Sequence, residues 1–352
     1  MQLSYHKYYL IHLFIFLSLL FAFYNISEMM ILFIIVSVVI MFGDIFIPKE
    51  HNVYDDRHKK QFNFAIYLSF LFLFIYLFSI TYLVKFNIAS NNLDWYLIFG
   101  NALNLGIYIG VIGTNLGHEL IHRRRQSFDY KLGLWGLALS WDTAFAIEHV
   151  HGHHKNIGTW GDPATARRGE NIFMFIFRSS YGSIVNAWSY EKNNMKKQNY
   201  ITLSMKNRLV SGFFKSIFIS SLIWFIGGIN AIIIYFIAVL WAKILLETVN
   251  YIEHYGLVRK EGSPVKPFHS WNDNSWMSSF LLFNLNRHSA HHEKGTLPYW
   301  RLNTYENYPM LPMGYLSMVY FALLIPPLYH YIMKKKLRKW DDLYLEDTQL
   351  IS

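Results

Sequence analysis

The sequence contains no cysteine, and few of its residues carry a charge. Of its 352 residues, 16% are charged, 53% are hydrophobic and 18% are aromatic. The lack of cysteine excludes disulfides, iron–sulfur clusters and thiolate-bound haem or zinc from this polypeptide, so any electron-transfer partner must be a separate protein. The small charged fraction excludes a two-domain water-soluble protein, and the apolar content excludes a disordered chain. The composition instead predicts an all-α membrane protein.

Long apolar runs mark six predicted transmembrane helices. They lie at about residues 8–25, 29–47, 64–86, 95–122, 209–227 and 229–252. The first run lacks a small-residue cleavage site, so we expect a membrane anchor rather than a cleaved signal peptide. Two other apolar stretches, Leu132–Ile147 and Met313–Ile325, are too short to cross a bilayer and are predicted to be interfacial helices. Residues 1–352 are predicted to form a single membrane-embedded domain.

The basic residues predict the orientation of these helices. The net charge is +9, and Lys85 is the only basic residue in the loops on one side of the six-helix arrangement. Because short cytoplasmic loops carry the excess of Lys and Arg, we expect a multi-pass protein of the inner (plasma) membrane with both termini in the cytoplasm. Segments 118–208 and 253–352 are then cytoplasmic. The charge needs no nucleic-acid partner, and no nucleic-acid-binding motif is present.

Four glycines follow helical spacing on the fourth predicted span: Gly106, Gly110, Gly113 and Gly117. Small residues on one face allow a neighbouring helix to approach closely, so a packing role is expected. A substrate channel beside the glycines is the alternative.

Histidines form three close groups and one single site. His118 and His122 are four residues apart, as are His149 and His153, beside which His154 adds a third imidazole; His288, His291 and His292 form the third group. On a helix these spacings bring imidazoles to one face, and the three in the last group are predicted to aim at one point. His151 is left out because it faces the opposite side. His254, at the end of the last span, is the single site, and a lone histidine there is more often structural.

The predicted topology brings all four sites to one cytoplasmic rim. So many imidazoles exceed what one metal ion accepts, so two ions are predicted. Imidazole suits Zn, Cu, Fe or Ni; a structural zinc site needs only four ligands, and a dinuclear iron site for O2 activation fits best. Glu119, Glu148 and Glu253 each stand beside a cluster histidine and could orient an imidazole, or could equally be surface or helix-end charges.

These motifs resemble the integral-membrane, non-haem di-iron alkane 1-monooxygenases, a family within the membrane fatty-acid desaturase and hydroxylase superfamily. The three histidine groups match the superfamily's three histidine boxes. NYIEHYGL at 250–257, DPATARRGE at 162–170 and LNRHSAHH at 285–292 are similar to more specific motifs of the family. The resemblance extends from about residue 95 to 333. Asn286 and Ala290 stand where the family often has Gln and Asp.

The resemblance implies a fold, a cofactor, a reaction and partners. The fold would be a six-helix bundle around an apolar tunnel, with a cytoplasmic histidine-rich cap that holds two iron ions. The reaction would be O2-dependent terminal hydroxylation of medium- or long-chain n-alkanes to 1-alkanols, with electrons from rubredoxin and an upstream rubredoxin reductase. The implied iron ligands are His118, His122, His149, His153, His154, His254, His288, His291 and His292.

Two other classes of function remain in competition at this point. The nearer one is another oxidation by the same superfamily, either fatty-acyl desaturation or hydroxylation of methyl groups on aromatic rings. The other is a membrane metal transporter. A transporter is expected to place ionisable groups along a path through the membrane, whereas the predicted spans are almost free of charge.

Overall fold

The chain is almost entirely helical in the computed structural model, which describes residues 5–88 and 95–348. The α-helices are α1 (Leu10–Asn25), α2 (Met29–Phe46), α3 (Lys59–Ile88), α4 (Trp95–Tyr108), α5 (Gly117–Ile121), α6 (Phe128–Leu139), α7 (Phe145–Glu148), α8 (His154–Asn156), α9 (Ile172–Lys197), α10 (Arg208–His254), α11 (Trp276–Leu281), α12 (His288–Glu293), α13 (Tyr315–Leu324) and α14 (Pro326–Thr348). The 3-10 helices are Tyr5–Tyr9, Ile26–Glu28, Asp56–His58, Pro267–His269 and Tyr299–Arg301. The two described ranges contain no β-strand, which confirms the predicted helical class.

Two segments wind more widely, as π-helix. Ile109–Leu116 joins α4 to α5, and His149–His153 joins α7 to α8. Both lie at or beside predicted metal ligands. π-Helical turns are rare in proteins, and those that occur are often found at functional sites.

Within residues 5–88 and 95–348, five helical stretches are long and apolar enough to cross a membrane: Tyr5–Tyr24, Ile26–Phe46, Asp56–Phe86, Trp95–Ile121 and Arg208–His254. They coincide with the apolar runs from which six spans were predicted. The chain is therefore a multi-pass membrane protein.

The last of these stretches, α10, contains two of the predicted spans. Its 47 residues would make a rod of roughly 70 Å, more than twice the thickness of the hydrocarbon core. Gly228 interrupts it with φ 71° and ψ −162°, a backbone conformation open almost only to glycine. The interruption falls between predicted spans 209–227 and 229–252.

The chain divides into two compact units. The helical unit comprises the described residues of Met1–Val39, Asp55–Thr143 and Leu203–Leu245. The histidine unit comprises those of Ile40–Tyr54, Ala144–Thr202 and Leu246–Ser352.

In the helical unit, the glycines of the fourth span serve helix packing, as expected, but against two neighbours rather than one. A Cβ on Gly106 would lie 2.6 Å from the carbonyl oxygen of Ala238 in α10. A Cβ on Gly117 would lie 3.2 Å from the carbonyl oxygen of Gly133 in α6. Trp95–Ile121 is one continuous helical stretch, in agreement with the predicted span 95–122, but the expectation of a single neighbour for the glycine face is wrong. The π-helical turn between the two glycines changes the direction in which they point.

The prediction of a single helix over Leu132–Ile147 is also wrong. α6 ends at Leu139 and α7 begins at Phe145, because Trp141 adopts a positive φ of 56° between them. Two side chains of α10 cap the C-terminal end of α6. Ser216 Oγ and Tyr235 OH donate hydrogen bonds to the carbonyl oxygens of Ala138 and Leu139 at 2.8 and 2.6 Å. Unpaired carbonyls at the end of α6 are thereby satisfied inside the unit.

The predicted apolar stretch Met313–Ile325 forms α13, which begins at Tyr315 and ends before Pro326. Proline suits the first turn of a helix, and here it opens α14. In the histidine unit, Asp44 at the end of α2 fixes the start of α13, since it accepts from the backbone N–H of Leu316 and the hydroxyl of Ser278. This buried carboxylate therefore ties three parts of the chain together.

Candidate metal centre

The π-helical turn His149–His153 decides how the second histidine box presents its ligands. The ring of Phe145 stacks on His149 with centroids 4.5 Å apart and holds its orientation. Because a π-helix has more residues per turn than an α-helix, His149 pairs with His154, five residues on. Their Nε2 atoms are 3.0 Å apart. The rings of His149 and His153 stack with centroids 5.2 Å apart, as their spacing predicts, but their possible ligand atoms belong to different groups.

His149 and His154 form one candidate metal position together with His291. Nε2 of His154 lies 3.1 Å from Nε2 of His291, and the possible ligand atoms of all three lie within 4.8 Å of one another. We call these residues the three-histidine group.

The other candidate position is the four-histidine group: His153, His254, His288 and His292. All four side chains are buried, and their possible ligand atoms also lie within 4.8 Å of one another. The Nε2 atoms of His153 and His292 are 3.2 Å apart, those of His254 and His288 are 3.1 Å apart, and those of His288 and His292 are 2.8 Å apart.

The short helix α12 divides its histidines between the two groups. His291 belongs to one group, and His288 and His292 belong to the other, so the prediction that all three aim at one point is wrong. Buried polar residues fix this helix. Arg287 donates to the carbonyl oxygens of Asn52 and Leu302 at 2.8 and 3.0 Å. Neighbouring loops thus hold the start of α12 in place.

Hydrogen bonds fix the tautomers of two imidazoles in the four-histidine group. Nδ1 of His153 lies 2.9 Å from Oδ2 of Asp162, and Nδ1 of His254 lies 3.4 Å from the carbonyl oxygen of His269. Carbonyl and carboxylate oxygens only accept hydrogen bonds, so these two Nδ1 atoms carry the proton. Nδ1 of His288 lies within ion-pair distance, 2.9 Å, of Oε1 of Glu253.

When His153 and His254 are neutral, as metal binding requires, the Nε2 atom of each is a bare lone pair. Two bare nitrogens cannot hydrogen-bond to each other, whereas a cation between them binds both. Nitrogens at about 2.1 Å from one ion, with bonds at about right angles, are themselves about 3 Å apart, as these are. The residues present therefore fit a metal ion.

Charge around Asp162 supports the same conclusion. Burial raises the pKa of Asp162, but the neighbouring His153 holds that pKa below its usual range, so the side chain is a carboxylate. Burial lowers the pKa of His153, while the carboxylate of Asp162 raises it to about 8. A carboxylate that makes an imidazole more basic also makes it a stronger metal ligand.

The three glutamates named from the sequence occupy different environments. Glu119 pairs with Arg123 at 3.2 Å in the helical unit. Glu253 accepts a hydrogen bond from the hydroxyl of Tyr315 and faces His288. Glu148 is buried, which raises its pKa to about 7, and its Oε1 has no hydrogen-bond partner among the described residues.

His118 and His122 lie in the helical unit, on and just after α5. Their rings are 5.0 Å apart, as expected for a pair four residues apart on one helix face. His151 stacks flat on Tyr190 at 4.3 Å, away from the other histidines of its box.

Sequence reasoning missed Asp162 as a partner of a ligand, although it begins the DPATARRGE motif. Its contact with His153 spans nine residues, and no helical spacing predicts it. Thr165 Oγ1 and the backbone N–H of Ala164 also donate to this carboxylate, so the motif forms a turn around it. Asn286 donates to the carbonyl oxygen of Asp273, a structural role that the box alone did not reveal.

Buried histidine groups in a multi-pass helical chain define a class of membrane protein with metal-binding sites made of imidazoles. Comparison with known proteins refines this class. The family model "Fatty acid desaturase" matches residues 93–322, more than half of the chain. The chain therefore belongs to the fatty acid desaturase family, and the predicted resemblance to alkane 1-monooxygenases is confirmed.

Three relatives illustrate the relationship. The chain is 34% identical to alkane 1-monooxygenase 2 of Alcanivorax borkumensis, over 68% of this chain and 64% of that protein. It is 34% identical to alkane 1-monooxygenase 2 of Pseudomonas aeruginosa, over 73% of this chain and 70% of that protein. It is 28% identical to the hydroxylase component of a Pseudomonas putida xylene/toluene monooxygenase, over 70% of this chain and 66% of that protein.

Proposed function

We propose that the protein hydroxylates the terminal carbon of medium- or long-chain n-alkanes with O2. The observation that carries the proposal is the pair of imidazole groups, with ring nitrogens about 3 Å apart. Similarity to two alkane 1-monooxygenases supports the choice of substrate. An alkane has no polar group to bind, so chain length would be selected by apolar contact, at about 0.8 kcal/mol per buried CH2.

The proposed cofactor is two iron ions. One would be held by the four-histidine group and the other by the three-histidine group, and the family resemblance implies His118 and His122 as further ligands. When bound, the iron would supply the reduction of O2 and the oxidation of the C–H bond. Asp162 and Glu253 would orient His153 and His288, and Glu148 would be a further partner close to the ligands.

The proposed setting is the inner membrane, crossed six times if α10 reverses at Gly228, with both termini and the metal centre on the cytoplasmic side. The asymmetry of Lys and Arg supports this orientation. Electrons would come from a rubredoxin, reduced by a rubredoxin reductase.

Helix α9 is proposed to lie in the membrane interface. One of its faces exposes Phe173, Phe177, Tyr181, Ile184 and Trp188, with 75% of Phe177 and 73% of Tyr181 accessible. Exposed lysines follow at its C-terminal end, and the spanning helix α10 begins a few residues later. An apolar face with flanking lysines is typical of a helix at a bilayer surface.

Hydroxylation of methyl groups on aromatic rings is the second candidate, because the chain is also similar to the xylene/toluene monooxygenase component. Product analysis separates the candidates. Membranes containing the iron-loaded protein, a rubredoxin and its reductase would be supplied with octane, hexadecane, xylene or a fatty-acyl substrate. We expect 1-octanol or 1-hexadecanol as the main product. A benzylic alcohol from xylene alone, or an alkene from the acyl substrate alone, would refute the proposal.

A further inference from the structure

Trp160 is an exposed tryptophan that follows His153, a member of the four-histidine group, by seven residues in the sequence. Trp160 has 76% of its surface accessible, and the guanidinium of Arg167 lies 4.4 Å from the centre of its ring. One exposed aromatic side chain is ordinary on a protein surface, but this one lies against a guanidinium group. Tryptophan and arginine are also the residues that most often dominate the binding energy of protein interfaces.

Basic residues surround this tryptophan. Arg259 fastens loop 257–266 to loop 155–168, since its side chain donates to the carbonyl oxygens of Ile157 and Lys155 at 2.7 and 2.6 Å. The two loops expose one acidic residue, Glu261, and five basic residues: Lys155, Arg167, Arg168, Lys260 and Lys266. Arg168 is paired with Asp341 at 2.6 Å. We call Trp160 and the other four basic residues, Lys155, Arg167, Lys260 and Lys266, the Trp160 patch.

Both loops lead directly from the surface to imidazoles of the four-histidine group. Trp160 is two residues from Asp162, whose carboxylate accepts from His153. On the other loop, the backbone N–H of Lys266 donates to Nδ1 of His269 at 3.0 Å, and the carbonyl oxygen of His269 accepts from His254. Each route from the patch to an imidazole thus runs through a few covalent bonds and one or two hydrogen bonds.

The proposed reaction requires such an entrance. An alkane and O2 give an alcohol and water only if two electrons and two protons are added. The chain has no cysteine for an iron–sulfur cluster of its own, so the electrons must arrive from another molecule at the surface.

We propose that the Trp160 patch is the docking site of the electron donor, a small acidic electron-transfer protein. This inference rests on the proposed function. Complementary charge would bring the acidic donor to the patch and orient it, and Trp160 would form the apolar centre of the contact. The donor would then be oxidised beside the two connections that lead to His153 and His254.

The test measures donor binding and donor use separately. The iron-loaded protein in lipid nanodiscs would be titrated with an oxidised, acidic rubredoxin, first unmodified and then as Trp160→Ala and Arg167→Glu. We expect each substitution to weaken binding by about tenfold or more, and to raise the KM for reduced rubredoxin similarly. Alcohol formation driven by dithionite and methyl viologen should stay unchanged, because these small reductants need no docking surface.

A matched control is Lys335→Glu, which reverses an exposed charge on α14. It should leave rubredoxin binding within about twofold of the unmodified protein. Unchanged binding by both patch variants, or a loss of binding on Lys335→Glu instead, would overturn the proposal. A spin label on Trp160→Cys that is shielded from water-soluble relaxation agents would also overturn it, because the patch would then face lipid. Failure to form alcohol with any reductant would refute the proposed function itself.

Discussion

Asp162 holds the imidazole of His153 by a 2.9 Å hydrogen bond and raises its basicity. Asp162→Asn keeps the size of the side chain but removes its charge. We expect iron affinity to fall by about 10- to 100-fold, the usual cost of losing a partner of a metal ligand. Competition with a chromogenic iron chelator measures the affinity. Asp341→Asn, which removes a carboxylate paired with Arg168 at 2.6 Å, is the control and should bind iron normally. Equal affinities for the two variants would contradict the role of Asp162.

His254 is the predicted ligand that the sequence supported least by spacing and most by family motif. Its ring lies among the buried imidazoles of the four-histidine group, 3.1 Å from His288. His254→Ala should therefore lose about half of the bound iron and nearly all alcohol formation, because one of the two proposed metal positions loses a ligand. His151→Ala removes a ring that stacks on Tyr190 and should keep its iron. Iron analysis of both purified variants decides the assignment, and full iron in His254→Ala would exclude it.

At the scale of single residues, the sequence predicted which imidazoles are candidate ligands better than how they are shared. The histidines of the three boxes and His254 were recognisable because closely spaced histidines and short motifs are local signals in a sequence. The division between the two groups depends on the π-helical turn after Glu148 and on the anchoring of α12 by Arg287. Both arise from packing between distant parts of the chain, which spacing along an α-helix does not encode.

Among the elements, α10 contains the most unusual backbone conformation. Gly228 has positive φ, so a Cβ there is strained even though no atom lies nearby. Gly228→Ala should lower the free energy of unfolding by about 1–3 kcal/mol. Gly110→Ala is the control, because its Cβ would meet Ala242 at an ordinary 3.8 Å. Thermal unfolding of both variants in detergent tests this. Equal stability would show that the chain passes Gly228 without the proposed reversal.

Because the chain lacks cysteine, a single introduced cysteine reports its own surroundings. Labels at residues 57, 165, 260 and 345 should be accessible from the cytoplasm, and labels at 27 and 228 from the other side. A label on Phe177→Cys should be reached by lipid-soluble quenchers, since that face of α9 is apolar. A label at 165 accessible only from outside would place the histidine boxes on opposite sides of the membrane.

Helices that arise from a local sequence pattern could be predicted, whereas features without such a pattern could not. Long apolar runs located the helices that are long and apolar enough to span a membrane, because hydropathy averages over a whole helix. The described residues contain five such stretches where six spans were predicted, since the last two spans lie in α10. α9 was not predicted as an element of its own, and the break at Trp141 was missed. A helix whose exposed face is apolar has no clear two-sided pattern, and a single positive φ leaves no trace in composition.

At the scale of the whole molecule, the two compact units differ in the kind of helix and in the number of predicted ligands that they contain. The helical unit consists mainly of long apolar helices. The histidine unit holds seven of the nine predicted ligands, six of them in short helical segments and His254 at the end of α10. The low charge and the absence of cysteine predicted this kind of protein at once. That residues 1–352 act as a single membrane-embedded domain remains a prediction.

The number and kind of metal ions in the active protein tests the account most directly. Two separate imidazole groups require two positions, so elemental analysis of protein that forms 1-alkanols should find about two iron ions per chain. One iron ion per chain, or stoichiometric zinc without iron in active protein, would contradict the account.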